Sequence, residues 1–469
     1  MERQTQNTRK GWIKHPVWMV ALGLLALTLA PMACGNTAEG KGDKSANAAA
    51  DKGAGGDKQA QQGDDKGDKA KPMAAAKAPA DMAKGLLVAI SQFQVDENKK
   101  VIPKPGPAKL EIITREGGKW NTQVIEDPDS NVFHKAFYYE PPGGEPGIVT
   151  LGGMNASVKI WRKKGGKWTA ETIWTKDFGG KFNRMRDAEV GDLYGDGKPV
   201  MAVATHDQGI VATISPGAEG KFEVKEIDKK ENTFVHEIEI GDIDGDKTLE
   251  FYSTPSEPNK LDGSVQTGLV MRYVPSKGGE PTVVANLGNR HAKEILVADV
   301  DGDGKDELYV AVEAETEKVN KKIRVKSPVE IRRYDAGTDP TKGVVIAKLK
   351  DRLCRFLTYG DVDGDGKKEM VAAPFSSGLW LLRPGSDPKG TWGKTLIDKD
   401  SSGFEHTSLL ADLDGDGKDE LYVASDRQGE VRRYDWNGSG FDKTVISTRE
   451  VPKSVITWNI MPVPAKAVK

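Results

Sequence analysis

The sequence contains few cysteines and almost no net charge, and both absences narrow the classes of protein that it encodes. Only Cys34 and Cys354 occur among its 469 residues. Because Cys34 falls in a segment outside the expected fold, we predict no intramolecular disulfide. The 68 basic and 70 acidic side chains leave a net charge of −2, so no strong overall field attracts nucleic acid, and we predict no nucleic-acid partner.

Common enzyme signatures are also missing. The sequence has no nucleophile elbow, no phosphate-binding glycine loop and no histidine-rich transition-metal motif. These absences favour a binding or scaffolding protein over an enzyme.

The amino terminus predicts export. Basic residues precede an apolar run over 17–30, which is short for a membrane-spanning helix but suits a secretory signal. The run ends in Pro31-Met32-Ala33-Cys34-Gly35, which resembles the lipobox of bacterial lipoproteins, although that family usually has leucine where Pro31 stands. The resemblance implies a lipoprotein-type signal peptide over 1–33, lipidation of Cys34, and anchoring to the bacterial outer membrane or cell surface. Cleavage by an ordinary signal peptidase is the alternative.

Residues 34–83 form a segment of almost only Ala, Gly, Lys, Asp and Gln. Such a segment has too little apolar surface to offset the entropy cost of ordering, so we predict a disordered tether. A flexible chain of this length spans roughly 40 Å and would hold a folded domain away from a membrane.

An aspartate-rich loop recurs in the remaining sequence, and its copies start 50, 57, 62 and 51 residues apart. This period is in the range of propeller blades. An alternating stretch precedes each loop and an apolar β-type run such as Glu307-Leu-Tyr-Val-Ala follows it, which predicts two strands joined by the loop. The loops begin at Asp192, Asp242, Asp299, Asp361 and Asp412.

The strands after each loop reveal more blades than the loops do. A third strand is predicted near Leu110, Val158, Ile210, Val270, Ile331, Leu381 and Val431. A fourth strand is predicted near Val124, Ile173, Val224, Val283, Val345, Leu396 and Val445. Both series contain seven members. The strand before the loop has six internal copies, so we predict that the terminal stretch 454–460 completes the blade at 86–127. The expected fold is all-β: a seven-bladed propeller of four-stranded blades over 84–469, closed by its last strand.

The loop Asp299-Val-Asp-Gly-Asp-Gly with its following strand, repeated at this spacing, resembles the FG-GAP and VCBS repeats of integrin α-chain-like propellers. The resemblance covers roughly residues 85–463. It implies the propeller fold, which hosts adhesion modules, lectins and some polysaccharide-degrading enzymes.

Three loops carry a complete set of calcium ligands. Carboxylates stand at positions one, three, five and nine, and position seven offers a backbone carbonyl. An EF-hand is rejected because position twelve holds Val310, Ala372 or Val423 within a strand. The three sets are Asp299, Asp301, Asp303 and Glu307; Asp361, Asp363, Asp365 and Glu369; and Asp412, Asp414, Asp416 and Glu420.

The other two loops are incomplete. The loop with Asp242, Asp244, Asp246 and Glu250 has Lys247 in place of a glycine, so we predict weaker binding there. The loop at Asp192 has Tyr194 and Val200 at ligand positions and is predicted to be empty. We therefore expect three to four structural Ca²⁺ ions. The alternative is an aspartate-glycine turn without metal.

A basic or histidine side chain stands six residues before each loop position, at the start of the inner strand. These residues are predicted to surround the channel mouth opposite the calcium loops, with acidic neighbours Asp187, Glu237, Glu294 and Glu405. They would bind an anion or an acidic sugar; the alternative is a solvated rim of charges. The six are His134, Arg186, His236, Lys293, Arg355 and His406.

These features favour a monomeric, calcium-stabilised, lipid-anchored propeller that binds a protein or glycan without catalysis. One alternative is a polysaccharide lyase that uses His236, His406 and Arg355. Another is a lectin-like sugar binder that uses exposed aromatic side chains, although such residues more often pack within blades. The candidate aromatics are Trp161, Trp168, Trp380 and Trp436.

Overall fold

The structure is a computed structural model, and it describes residues 83–180, 182–231, 233–256, 267–320 and 322–467. The predicted signal peptide, the lipidation site Cys34 and the predicted tether up to residue 82 lie outside these ranges. The first strand begins at Ala83.

The described chain is a seven-bladed β-propeller in which every blade has a core of four antiparallel strands. Strands are numbered along the chain. Blade 1 contains β31 (Val455–Pro464), β1 (Ala83–Val95), β3 (Ala108–Glu116) and β4 (Lys119–Asp127), with β2 (Val101–Pro105) paired to β1. Blade 2 contains β5 (Phe133–Tyr139), β6 (Gly147–Gly152), β7 (Ser157–Lys164) and β8 (Lys167–Thr175). Blade 3 contains β9 (Met185–Gly191), β10 (Val200–Thr205), β11 (Ile210–Pro216) and β12 (Phe222–Lys229).

The other four blades repeat this meander. Blade 4 contains β13 (Phe234–Gly241), β14 (Glu250–Ser256), β15 (Leu269–Tyr273) and β16 (Thr282–Asn286). Blade 5 contains β17 (Ala292–Ala298), β18 (Glu307–Val312), β21 (Val329–Tyr334) and β22 (Val344–Leu349). Blade 6 contains β23 (Cys354–Gly360), β24 (Glu369–Pro374), β25 (Leu379–Arg383) and β26 (Gly393–Asp398). Blade 7 contains β27 (Ser408–Ala411), β28 (Glu420–Ser425), β29 (Glu430–Trp436) and β30 (Phe441–Thr448).

The predicted third and fourth strands are confirmed in all seven blades. Ring closure is confirmed as well, since β31 pairs antiparallel with β1, and Leu87 faces Met461 in the register. The carboxy-terminal strand thus supplies the innermost strand of the blade that the amino-terminal strands build.

Burial follows the position of each strand within its blade. Second strands such as β18 and β28 are buried at every residue, as expected for strands covered on both faces. Fourth strands such as β12 and β30 are mostly exposed, because they form the outer edge. The hydrophobic core lies between neighbouring blades, where Val371 and Leu381 of blade 6 pack with Leu410 and Val423 of blade 7.

Blade 5 carries an insertion that accounts for the longest loop spacing. The hairpin of β19 (Glu315–Val319) and β20 (Lys322–Ser327) lies between β18 and β21 and forms a separate two-stranded sheet. The sequence analysis did not identify this hairpin. Short 3₁₀ turns span Ala218–Gly220, Pro275–Lys277 and Ala465–Ala467. Within the described ranges, no helix has the length and apolar character to cross a membrane.

Candidate functional site

The seven inner strands β31, β5, β9, β13, β17, β23 and β27 contact one another in a closed ring around the propeller axis. In blades 3 to 7 the inner strand leads into an aspartate loop at one end of the channel. The predicted basic residues lie toward the other end. The two ends form separate candidate sites with different chemistry.

The first aspartate of each loop fixes the loop's shape. In blade 5 the carboxylate of Asp299 accepts hydrogen bonds from the N–H groups of Gly302 at 2.7 Å and Gly304 at 3.0 Å. Asp192 in blade 3 does the same for Asp196 and Gly197 at 3.0 and 2.9 Å. Because the blade 3 loop lacks two predicted ligands and still closes, the turn itself does not depend on a metal ion.

Four of the loops bring several carboxylates to one point. In each group, one oxygen per residue lies within 4.8 Å of the others, an arrangement that suits a metal ion. The ninth-position glutamate joins its group only in blade 7; Glu250, Glu307 and Glu369 lie outside theirs. The loop at Asp192 does not form such a group among the described residues. The groups are Asp242, Asp244 and Asp246; Asp299, Asp301 and Asp303; Asp361, Asp363 and Asp365; and Asp412, Asp414, Asp416 and Glu420.

An arginine from the third strand contacts each of these four loops. In blade 5 the buried Arg333 donates to Asp301 at 2.6 Å and lies 3.1 Å from Glu307. Burial raises the pKa of Glu307 to about 8, although Arg333 opposes the shift. The sequence analysis missed these arginines. Two of them could have been identified from the Arg-Arg-Tyr stretch that occurs at 332–334 and again at 432–434. The equivalent contacts are Arg272 with Asp244 and Glu250, Arg383 with Asp363 and Glu369, and Arg433 with Asp414 and Glu420.

The blade 3 loop replaces this ion pair with a neutral contact. Tyr194 stands at the third loop position, and its hydroxyl lies 2.9 Å from the Thr213 hydroxyl on β11. The four other loops retain more carboxylates than their single guanidinium neutralises. Their oxygen-rich, negatively charged sets fit a calcium ion, whereas the blade 3 loop does not.

Adjacent loops are also joined across blades. Asp306 of blade 5 accepts the N–H of Asp242 in blade 4 at 2.8 Å, and Asp419 of blade 7 accepts that of Asp361 in blade 6 at 2.8 Å. A Cβ atom at Gly360 would lie 2.4 Å from the Asp419 carboxylate. Glycine is therefore required where the neighbouring blade approaches.

Lys247 in the blade 4 loop gives a testable effect on stability. Its φ is 68° where Gly304 and Gly417 have 89°, and a side chain in this left-handed region costs about 1 kcal/mol. We expect Lys247→Gly to raise the free energy of unfolding by up to about 1 kcal/mol, measured by urea denaturation. Lys247→Ala removes the charge but keeps Cβ; equal stabilisation by both variants would contradict the strain explanation.

Three basic side chains converge at the other end of the channel. Arg186, Lys293 and Arg355 lie 3.9, 3.6 and 3.2 Å from the carboxylate of Glu405. Glu313 lies 3.4 Å from Arg355. We name these five residues the basic cluster. The predicted neighbour Glu405 is its central carboxylate, whereas Glu313 was not predicted.

Aromatic side chains cover the basic cluster. The guanidinium carbon of Arg355 lies 4.7 Å from the ring centre of Phe404, and that of Arg186 lies 5.6 Å from the Trp458 ring centre. These are cation–π contacts in a largely desolvated setting. No sequence pattern pointed to Phe404 or Trp458 as part of the site.

The predicted histidines differ in their surroundings. His134 contacts the Met185 carbonyl at 2.6 Å through Nδ1. His236 lies next to His206 and His291, with ring centres 5.4 and 5.5 Å apart. His406 precedes β27 rather than lying on it.

Both ring nitrogens of His406 are engaged, with the Pro374 carbonyl at 2.6 Å and the Ser401 hydroxyl at 2.8 Å. This arrangement does not favour His406 as a base in the lyase alternative.

The six predicted channel-mouth residues are buried, at 0–6% exposure, so they do not form a solvated rim. Several of their polar atoms nevertheless have no hydrogen-bond partner within the described chain: Nε of Arg186, Nε and one terminal nitrogen of Arg355, and both ring nitrogens of His236. Burying a donor or acceptor without a partner costs about 1–3 kcal/mol. Such atoms are expected where a ligand completes the site.

The charged side chains of the basic cluster shift one another's pKa values. Burial, followed by the neighbouring Arg355, lowers the pKa of Lys293 to about 7. Burial alone would raise the pKa of Glu405, but Lys293, Arg355 and Arg186 outweigh it and bring that pKa to about 2. The cluster therefore holds a fixed carboxylate beside an ammonium that titrates near neutrality.

The tryptophans of the lectin alternative contribute to blade packing. Trp161 is buried against Phe133, and its indole nitrogen donates to Thr150 at 2.9 Å. Trp380 packs against the core between blades 5 and 6, and Trp436 contacts Phe441. Trp168 packs against the core between blades 1 and 2. No sugar-stacking surface is formed by these four side chains together.

Comparison with known proteins agrees with this architecture. An FG-GAP-like repeat matches residues 361–423, which contain the loops of blades 6 and 7. The chain is thus a seven-bladed β-propeller that carries an FG-GAP-like repeat, and the predicted resemblance is confirmed. No curated protein matches its sequence.

Three solved structures match this chain at low sequence identity. A protein from Bacteroides uniformis, provisionally assigned as a 6-phosphogluconolactonase, is 12% identical with a TM-score of 0.50; the match covers 81% of this chain and 100% of that one. A functionally unknown protein from Desulfotomaculum acetoxidans is 11% identical with a TM-score of 0.45, over 81% of this chain and 99% of that one. A Lactobacillus plantarum protein is 11% identical with a TM-score of 0.48, and the match covers 81% of this chain and 100% of that one.

Proposed function

We propose that this protein is a non-enzymatic binding module of the bacterial cell envelope, and that the basic cluster binds an anionic group such as the carboxylate of an acidic sugar. One observation carries the proposal: three buried cations converge on Glu405, while Nε of Arg186 and one terminal nitrogen of Arg355 have no hydrogen-bond partner among the described residues. An anion supplies the acceptors that these donors lack.

Charge favours an anionic ligand over a neutral one. The cluster contains three basic side chains and the carboxylates of Glu405 and Glu313. The Glu313 carboxylate also lies 3.5 Å from Nδ1 of His291. A carboxylate that enters beside Arg355 and Lys293 would form charge-assisted hydrogen bonds, which are about twice as strong as neutral ones. Phe404 and Trp458 would cover the ligand and keep water out.

Calcium and the lipid anchor belong to the same proposal. The four acidic groups would hold Ca²⁺ through carboxylate and backbone oxygens, so the ion would neutralise the repulsion within each loop. Calcium would then stabilise an exported protein for which we predict no intramolecular disulfide. The lipobox-like sequence at Cys34 supports attachment to a membrane, and the tether would present the propeller beyond it.

A titration tests the anion site. We expect galacturonic acid to bind the full chain more tightly than galactose at pH 6, measured by isothermal titration calorimetry. Because Lys293 has a pKa near 7, its charge is present at pH 6 and mostly lost at pH 8. The affinity should therefore fall roughly tenfold between these pH values.

Two variants separate the cluster from general charge effects. Lys293→Met should weaken binding at pH 6 about tenfold and remove the pH dependence, whereas Lys225→Met on the exposed β12 should change neither. Equal affinity for galactose and galacturonic acid, or an unchanged pH profile in Lys293→Met, would refute the site.

A further inference from the structure

A cavity occupies the channel between the basic cluster and the loops. Its volume is about 400 Å³, and residues from the inner strands of six blades and from β31 of blade 1 line it. The cavity reaches the loop end, where Asp361 and Asp412 contribute to its wall. We name this space the acidic cavity because of the side chains described next.

Four glutamates from three neighbouring blades face the acidic cavity: Glu189, Glu237, Glu239 and Glu294. Lys135 is the one basic residue among its lining side chains in the described chain. Lys135 already pairs with Asp187 at 3.0 Å and with Glu189. The cavity thus contains more carboxylates than its own lysine can neutralise.

Glu237 and Glu239 are the least satisfied of these carboxylates. Within the parts of the chain that the structure describes, neither side chain makes a hydrogen bond or an ion pair, whereas Glu294 accepts the Leu357 N–H at 2.7 Å. Burial raises the pKa of both glutamates well above the usual value, and the nearby carboxylates, Asp187 for Glu237 and Glu189 for Glu239, add to the shift. A cation in the cavity would relieve this cost.

Unpartnered neutral groups provide an independent sign of a ligand. Asn459 is only 7% exposed and lines the acidic cavity, yet its carbonyl oxygen Oδ1 has no hydrogen-bond partner within the described residues. Ser408, which also lines the cavity, has a hydroxyl in the same condition. Both are acceptors that an N–H donor would satisfy, and leaving them unpaired is costly.

The geometry favours an organic ammonium over a metal ion. Among the described residues, the acidic groups with ligand atoms within 4.8 Å of one another are the four loops, and the cavity glutamates form no such group. Dispersed carboxylates suit several N–H donors better than one small ion. Lys135 shows that a primary ammonium fits among these acids. Opposite them, the wall is apolar, formed by residues such as Leu296, Leu409 and Met461.

We propose that the acidic cavity binds an organic cation, a primary or secondary ammonium group carried on a short aliphatic chain. The ammonium would lie between Glu237 and Glu239 and reach the Asn459 carbonyl, and the aliphatic part would contact the apolar wall. This site is separate from the anion site of the proposed function and has the opposite charge.

Calorimetry with 1,4-diaminobutane tests the proposal. The full chain is titrated in excess Ca²⁺, so that the loops do not bind the probe, and the neutral isostere 1,4-butanediol is titrated in parallel. We expect the diamine to bind and the diol not to bind. Glu237→Gln combined with Glu239→Gln should weaken diamine binding at least tenfold, because it removes both charges while keeping side-chain size.

Three controls make the outcome decisive. Glu116→Gln combined with Glu223→Gln, on exposed strand positions, should leave diamine binding unchanged. Lys293→Met should also leave it unchanged, so this site and the anion site can fail independently. Thermal unfolding of each variant checks the fold; relief of repulsion should leave the cavity variant at least as stable as the parent. Absence of diamine binding, equal binding of the diol, or diamine affinity unaffected by the cavity variant would overturn the proposal.

Discussion

Deletion of residues 455–469, which contain β31, should abolish the cooperative unfolding transition of the propeller. The strand is the inner strand of blade 1 and buries Ile460 and Val463 at 1% and 0% exposure. Without it, β1 becomes an unpaired edge facing blade 2, and the ring opens. Open edges of this kind promote aggregation. Differential scanning calorimetry and light scattering measure the two consequences.

A point substitution in β31 and the addition of the missing strand as a peptide distinguish the effect of ring closure from the effect of simply shortening the chain. Ile460→Ala should lower the free energy of unfolding by about 2–5 kcal/mol, whereas Val445→Ala on the exposed part of β30 should change it by less than about 0.5 kcal/mol. A synthetic peptide of residues 453–467 should restore the transition of the truncated chain. The same peptide with Ile460→Asp and Val463→Asp should not. A cooperative transition in the truncated chain alone would show that closure is dispensable.

Chelation of calcium should lower the melting temperature by several degrees. Each ion that binds only the folded state adds about 2.7 kcal/mol when the free ion is at 100 times its dissociation constant. With four acidic groups that could each hold an ion, this is the largest ligand effect that we expect. The measurement is thermal unfolding in excess Ca²⁺ and in EDTA, and an unchanged melting temperature would contradict calcium binding.

The fifth loop position offers a matched set of variants. Asp303, Asp365 and Asp416 each accept the N–H two residues later at 2.8–2.9 Å, and Asp196 does so at 3.2 Å in the loop predicted to be empty. Asparagine keeps this acceptor but removes the charge. Asp303→Asn, Asp365→Asn and Asp416→Asn should each reduce the calcium-dependent stabilisation. Asp196→Asn should not reduce it; an equal effect would mean that the loops respond as turns and not as metal sites.

The fold was predictable because each blade repeats signals that depend only on local sequence. Alternation in the strands and the Asp-Gly turn between them reveal the blade even where a loop lacks its ligands, as with Tyr194. Closure by β31 was predictable from a count of strand types. The β19–β20 hairpin was not, since it is an insertion within blade 5 and does not belong to the strand pattern that the blades repeat.

The candidate sites were predictable only in part. The spacing of Asp299, Asp301 and Asp303 identified an acidic group, because those residues are adjacent in sequence. Arg333 enters from another strand, and its contact depends on strand register rather than on spacing. Likewise, the position of Lys293 was found by its distance from the loop, but its burial and its approach to Glu405 arise from neighbouring blades.

Ring closure also sets the order of events in folding. β1 and β31 lie at opposite ends of the described chain, so blades 2 to 7 can form their internal pairs as soon as each is synthesised, while blade 1 must wait for the last strand. Contacts this distant in sequence form slowly, because loop closure precedes any gain from pairing. A nascent chain therefore carries one edge of β1, the edge that pairs with β31, unpaired until the last strand is made, although β3 already pairs with the other edge. The aromatic cover of the basic cluster also stays incomplete until Trp458 is added. Ligand binding should appear only with the slowest phase of refolding.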